Sequence, residues 1–176
     1  MKITIISNIA LDRIINQDGQ IIDSLGGPPC YCGLTSKQFG FKVELVTKFG
    51  KDLKGKNLSF FKENDLDIHK NISSEKLTTR FTIKIMEKGR EICLSAKGDS
   101  ISLSDIENIK TDCWLVSPIL DEVPEEVLNY VIHKNDNFVM LDPQGYTRYI
   151  GNGGRILTRK RLDFSLQDID AIKLDP

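Results

Sequence analysis

Several short stretches hold residue types that could do chemistry. Gly50-Lys51-Asp52-Leu53-Lys54-Gly55-Lys56-Asn57 matches the phosphate-cradling pattern G-x-x-x-x-G-K-S/T in all but its last place. Phe138-Val139-Met140-Leu141-Asp142 would be the apolar strand with a terminal aspartate that a P-loop NTPase also needs. Two residue types oppose this reading. Asp52 would repel an anion held by backbone N–H groups, and Asn57 lacks the hydroxyl that ligates magnesium. Asp12 follows the first apolar run. A carboxylate at the C-terminal end of a parallel strand can accept hydrogen bonds from ligand hydroxyls; the bland alternative is a loop aspartate capping nearby N–H groups. Gly26-Gly27 either lets a ligand approach the backbone closely or is a plain turn. Gly151-Asn152-Gly153-Gly154 has a nucleotide-loop composition, but no helix pattern follows to give it a dipole. It is expected to turn a hairpin between Tyr149-Ile150 and Ile156-Leu157.

Cysteine and histidine chemistry finds little support. Cys30, Cys32, Cys93 and Cys113 include no C-x-x-C pair, and on a helix Cys30 and Cys32 would sit about 200° apart. Reduced, buried thiols in a cytoplasmic protein are the expectation. His69 and His133 are isolated from each other and from any nucleophile motif. Lys+Arg 24 against Asp+Glu 25 gives a formal charge of −1, which argues against nucleic acid or an anionic membrane as partner. Thr158-Arg159-Lys160-Arg161 is basic but brief, a solvated turn. No apolar run approaches the roughly 20 residues of a membrane span, and the N-terminal stretch is too short for a signal peptide.

The elements that must position these residues alternate between strand and helix. Lys2–Ser7 reads as a strand buried on both faces. Ile14-Ile15 and Ile21-Ile22 flank the turn dipeptide Asp18-Gly19, predicting a hairpin over about 13–23. Pro28-Pro29 open a helix that Gly40 ends. Val43–Thr47 follows as a strand, and Leu53–Asn64 as a helix with Leu58 and Phe61 on one face. Phe81, Ile83 and Ile85 alternate with polar residues, turn at Glu87-Lys88-Gly89-Arg90 and resume at Ile92 and Leu94, a second hairpin within about 77–95. Strands at Cys113–Ser117, Phe138–Asp142 and Ala171–Leu174, with a helix over Pro124–Lys134, complete an α/β pattern. The expectation is a mostly parallel sheet flanked by helices, carrying a small antiparallel sheet made of the two hairpins.

The ordered set of Asp12, Gly26-Gly27, Phe39-Gly40, Gly50-Lys51-Asp52-Leu53-Lys54-Gly55 and Asp142-Pro143 resembles the N-terminal part of the ribokinase-like (PfkB) carbohydrate kinase family. Asp142-Pro143-Gln144-Gly145 with Arg148 is most similar to the archaeal-type sugar and nucleoside kinases. The resemblance spans essentially all of 1–176 and implies a substrate-binding part whose hairpins form a lid, which can pair two subunits. It implies that Asp12 accepts hydrogen bonds from sugar hydroxyls and that Gly26 and Gly27 let the sugar approach. Gly50, Asp52 and Gly55 would shape the loop beside the substrate, a structural role. Arg148 would reach an anionic or polyol substrate, or make a surface salt bridge. Tyr31 stands where many members carry a sugar-contacting asparagine, which favours a nucleoside or a bulkier sugar over ribose.

The family's activity is phosphoryl transfer from ATP with Mg²⁺ to a sugar or nucleoside hydroxyl. Its G-A-G-D catalytic motif and N-x-x-E magnesium motif do not occur in these 176 residues. Lys173-Leu174-Asp175-Pro176 aligns with the approach to the second of them. The expectation is a truncated kinase without its C-terminal nucleotide-binding part, inactive alone, with no metal site. The alternatives are a non-catalytic sugar-binding or dimerisation module and, further off, a P-loop NTPase.

Overall fold

The computed structural model describes residues 1–68, 76–134, 137–161 and 165–174; His69 and Asp175-Pro176 lie outside them. The chain runs β1 Lys2–Ile6, β2 Ala10–Ile15, β3 Ile21–Gly26, α1 Pro28–Gln38, β4 Lys42–Val46, α2 Lys56–Glu63, β5 Thr79–Ile85 and β6 Arg90–Ala96. It continues through β7 Cys113–Val116, α3 Glu125–His133, β8 Phe138–Leu141, α4 Gln144–Thr147, β9 Arg148–Ile150, β10 Ile156–Thr158 and β11 Ala171–Ile172.

Five strands form one sheet in the order β11-β8-β7-β1-β4, and every pairing in it is parallel. β1 divides its side chains between the faces, as the unbroken apolar run requires. Ile3 and Ile5 pack with Cys30 of α1 and Phe61 of α2. Ile6 packs with Trp114, Val116 and the α3 residues Val127, Leu128 and Val131. Helices therefore cover both faces, as the sequence pattern predicts.

A second sheet has the order β3-β2-β5-β6. Both hairpins form at the expected turns, with Gly19 and Gly89 in the left-handed region at φ 83° and 84°. The seam between them differs from the expected antiparallel arrangement: β2 and β5 pair in parallel, Asp12 beside Phe81 and Ile14 beside Ile83. Ala10 and Phe81 of this sheet pack on Ile119 and Leu120, in the loop after β7. The glycine run at 151–154 turns the β9–β10 hairpin, as its sequence predicts.

Two further expectations are corrected. The second helix begins at Lys56 rather than Leu53, because the turn Leu53 N–H to Gly50 O and the fixed Asp52 side chain hold 50–54 out of helix. Leu58 is exposed while Phe61 is buried. The thiols are free, but only Cys30 and Cys113 are buried; Cys32 and Cys93 are half-buried. Among the described residues, no helix is long and apolar enough to cross a membrane.

Candidate functional site

Asp12 lies inside β2, not in a loop after the first parallel strand. The connection Ser7–Ile9 is three residues long, and its amides are tied down: Ile9 N–H donates to Thr47 Oγ1 at 3.0 Å and Asn8 Nδ2 to Asp99 O at 2.7 Å. The chain thus enters the small sheet at Ala10. The period-2 rule then puts Ala10, Asp12 and Ile14 on one face, and all three line a cavity of about 280 Å³. Its other walls come from Gly27, Pro28 and Tyr31 at the start of α1, from Phe81, Arg90 and Ile92 on the facing hairpin, and from Ile119, Gln144 and Arg148 beyond β7 and β8. The cavity therefore sits between the carboxyl edge of the parallel sheet and the small sheet, a position that suits ligand binding in open α/β folds.

Within this wall Asp12 is left unsatisfied. Its Oδ1 is buried and, among the described residues, has no hydrogen-bond partner. Burial pushes its carboxyl up to about 6, against the lowering influence of Arg148 and then Arg90. Of the two glycines, Gly26 clears space for the carboxylate and Gly27 for the backbone that leads to it. A Cβ at Gly26 would collide with the Asp12 carboxylate, and one at Gly27, where φ is 90°, would meet Asn8 O at 2.5 Å. Tyr31 is 59% exposed, and its hydroxyl reaches only to Leu25 O at 3.5 Å, so its ring borders the cavity rather than its hydroxyl bracing the fold. Arg148 Nη1 donates to Ile119 O at 2.9 Å, which orients the guanidinium from the loop after β7.

Gly50, Asp52 and Gly55 form a separate arrangement. Asp52 Oδ1 accepts from Thr78 N and Thr78 Oγ1, both at 2.8 Å, and Oδ2 from Arg80 Nη2 at 2.6 Å and Nε at 3.1 Å. Burial alone would raise this carboxyl; the Thr78 N–H, Arg80 and the Thr78 hydroxyl outweigh it and hold it below the ordinary aspartate value. Gly50 is required there because a Cβ would strike the Lys76 carbonyl oxygen. The loop is thereby clamped to the start of β5. A carboxylate bonded to two residues fills the place an NTPase would give to phosphate, so these residues do not fit a nucleoside triphosphate. Among the described residues no group of three His, Cys, Asp or Glu could hold a metal ion. Asp142 makes contacts of its own, to Ser117 Oγ at 3.3 Å and Lys173 Nζ at 3.5 Å. Among the described residues these groups therefore do not fit Mg²⁺ with ATP.

Three site residues were not singled out from sequence. Arg90 reads as part of a turn, and Gln144 as part of the Asp142-Pro143 run. Glu122 is not marked by any motif, and it is 4% exposed. Its Oε1 accepts from Ile119 N at 2.7 Å and Asn8 N at 3.3 Å, and Oε2 from Leu120 N at 2.8 Å. Burial raises its pKa, partly offset by those N–H bonds. It joins the connection that delivers Asp12 to the loop that orients Arg148.

Comparison with solved structures defines the class of fold: this is the architecture of ribokinase-family kinases. The chain superposes on a pyrophosphate-dependent kinase in the ribokinase family complexed with a pyrophosphate analogue and myo-inositol, with TM-score 0.77 and 23% identity over 89% of this chain and 54% of that one. A fructokinase from Halothermothrix orenii matches with TM-score 0.65 and 17% identity over 81% of this chain and 57% of that one. The nucleoside kinase of Methanocaldococcus jannaschii matches with TM-score 0.59 and 21% identity over 81% and 52%. The chain spans about half the length of the structures it matches. No protein-family model and no curated protein matches the sequence.

Proposed function

We propose that this chain is the acceptor-binding half and lid of a ribokinase-type kinase, holding the hydroxyls of a sugar, cyclitol or nucleoside between the small sheet and the parallel sheet. The observation that carries this reading is the buried, unbonded Oδ1 of Asp12 in the cavity wall. A buried carboxylate oxygen without a donor costs on the order of 1–3 kcal/mol, which a ligand hydroxyl recovers on binding. Gly26 and Gly27 make room at that point, Tyr31 offers a ring to a sugar or base, and Arg148 offers a planar donor. Gly50, Asp52 and Gly55 hold the loop to the lid and touch no ligand.

Transfer of a phosphoryl group from ATP with Mg²⁺ is an activity of a whole kinase. The described residues bind and orient the acceptor, and among them we assign no donor site and no catalytic base. Alone, the chain binds without phosphorylating. The reading of a non-catalytic module that pairs two copies through its small sheet draws on exposed Ile21 and Ile22, at 58% and 43%. Analytical ultracentrifugation of wild type against Ile21→Lys separates a dimer through this face from a monomer.

The functional test is a thermal-shift screen of the purified chain across sugars, cyclitols and nucleosides, followed by calorimetric titration of the hits. The expected result is a rise in Tm that Asp12→Asn abolishes. A rise unchanged in Asp12→Asn, or no rise with any of them, contradicts the acceptor site. Product formed from a hit with ATP and Mg²⁺ by this chain alone contradicts its inactivity.

A further inference from the structure

We infer that Glu122 is a positioning residue of the acceptor site: its buried carboxylate joins the connection leading to Asp12 to the loop that forms the opposite wall, and so sets the spacing of the two. The inference rests on the acceptor-site reading and adds to it a residue that touches no ligand.

Glu122 is 4% exposed, and a carboxylate so deeply buried is tolerated only where donors converge on it. Its two oxygens serve different partners. Oε2 accepts from Leu120 N at 2.8 Å, a bond within its own loop. Oε1 accepts from Ile119 N at 2.7 Å and also from Asn8 N at 3.3 Å, with Ser7 Oγ at 3.5 Å. One oxygen thus bridges the β1–β2 connection and the loop after β7.

Both ends of that bridge lead into the cavity. The chain enters β2 just after Asn8 and Ile9, and Ala10 and Asp12 of that strand line the wall. Asn8 also underlies the glycine pair, since a Cβ at Gly27 would meet its carbonyl oxygen at 2.5 Å. On the far side Ile119 lines the cavity, and its carbonyl accepts from Arg148 Nη1. Ala10, Phe81, Ile119 and Leu120 pack as one apolar cluster between the two segments. Apolar contact is non-directional, whereas a charge-assisted hydrogen bond fixes distance and angle. Glu122 supplies the directional part. Neither Asn8 nor Glu122 lines the cavity, so Glu122 acts through its partners.

Two substitutions separate the bridge from the rest of the carboxylate. Glu122→Asp keeps the charge but withdraws it by one methylene, which breaks the long Asn8 bond first. Glu122→Gln keeps the length. Its single amide oxygen satisfies two donors when it faces Ile119 and Asn8, so the bridge remains and the Leu120 bond is lost. The probe is the tightest binder among myo-inositol, fructose and adenosine, titrated calorimetrically into the 176-residue chain well below every Tm. Glu122→Asp is expected to weaken binding by about fivefold or more, with the Asn8 amide proton moving upfield in NMR spectra as its bond is lost. Glu122→Gln should bind within about threefold of wild type, with the Asn8 amide in place. Ile106→Ala, a core truncation outside the cavity wall, should lower Tm without weakening the probe, which separates positioning from general stability. In wild type the probe should also shift the Asn8 and Leu120 amides, a measurement that needs no variant to fold.

Four results overturn the inference and leave the acceptor site standing. They are binding unchanged in Glu122→Asp with the Asn8 bond lost, and an equal loss in Glu122→Gln with that bond kept. The others are an equal loss in Ile106→Ala, and wild-type Asn8 and Leu120 amides that the bound probe leaves unmoved. Absence of binding by every probe overturns the inference together with the acceptor site.

Discussion

Asp12 and Asp52 border one hollow beside the small sheet and are opposites in electrostatic terms. Asp52 accepts four hydrogen bonds from Thr78 and Arg80 and is held below its ordinary pKa. Asp12 keeps a buried oxygen without a donor and is raised to about 6. A carboxylate that the fold satisfies completely is part of the scaffold. One that the fold buries and leaves unsatisfied weakens the protein at that point, and the natural use of such a position is to receive a ligand. The glycines beside each repeat the contrast: Gly50 clears space for backbone, and Gly26 clears space for a side chain.

The largest effect expected from breaking this contrast is on stability at Asp52. Asp52→Ala leaves the Arg80 guanidinium and the Thr78 N–H without their acceptor, costing about 3 kcal/mol, a fall in Tm of roughly 6–12 °C at this chain length. Asp12→Ala in the same melting experiment should cost little or stabilise, and equal losses at the two positions would erase the distinction. Next come the glycines. Gly50→Ala drives a Cβ into the Lys76 carbonyl and should cost about 2 kcal/mol. Gly26→Ala displaces the Asp12 side chain rather than backbone, leaving the melt nearly unchanged and weakening polyol binding by about tenfold or more.

pH sharpens the comparison further. Between the ordinary aspartate value of 3.8 and about 6, folded Asp12 binds more protons than unfolded Asp12. Its contribution therefore falls as pH rises through that window and is fully unfavourable above it. Asp52 has the reverse sign: its contribution is present above 3.8 and is lost as pH falls through its lowered folded value. Subtracting the Asp12→Asn stability curve from wild type should show a wild-type gain on acidification from pH 7 to 5, and the Asp52→Asn difference should stay flat there. The smallest effect is expected at Tyr31→Phe. Its hydroxyl makes one long bond, so affinity should change by about 0.5 kcal/mol, less than threefold.

Much of the fold is local information. Asp18-Gly19 fixes a hairpin, Pro28-Pro29 opens a helix, and the alternation of Phe81, Ile83 and Ile85 marks a strand with one wet face. The parallel pairing of β2 with β5 is not local, because Asp12 and Phe81 are far apart in sequence and no turn connects them. That pairing decides the site. It carries Asp12 into a strand, where one polar residue on an otherwise apolar face looks from sequence like a loop. Arg90 hides in a charged turn sequence until its hairpin folds across the cavity. Glu122 hides in Asp121-Glu122-Val123-Pro124-Glu125-Glu126, where only the three-dimensional convergence of the Ile119, Leu120 and Asn8 amides makes burial of a carboxylate tolerable.

Side-chain carboxyl NMR titration of Asp12 and Asp52, with and without a polyol that raises the Tm, tests the account most directly. The account predicts that Asp12 titrates near 6 without ligand and moves downward when hydroxyl donors reach its ionised form, while Asp52 titrates below 3.8 in both conditions. Asp12 titrating at or below 3.8, or unmoved by a ligand that demonstrably binds, would contradict it.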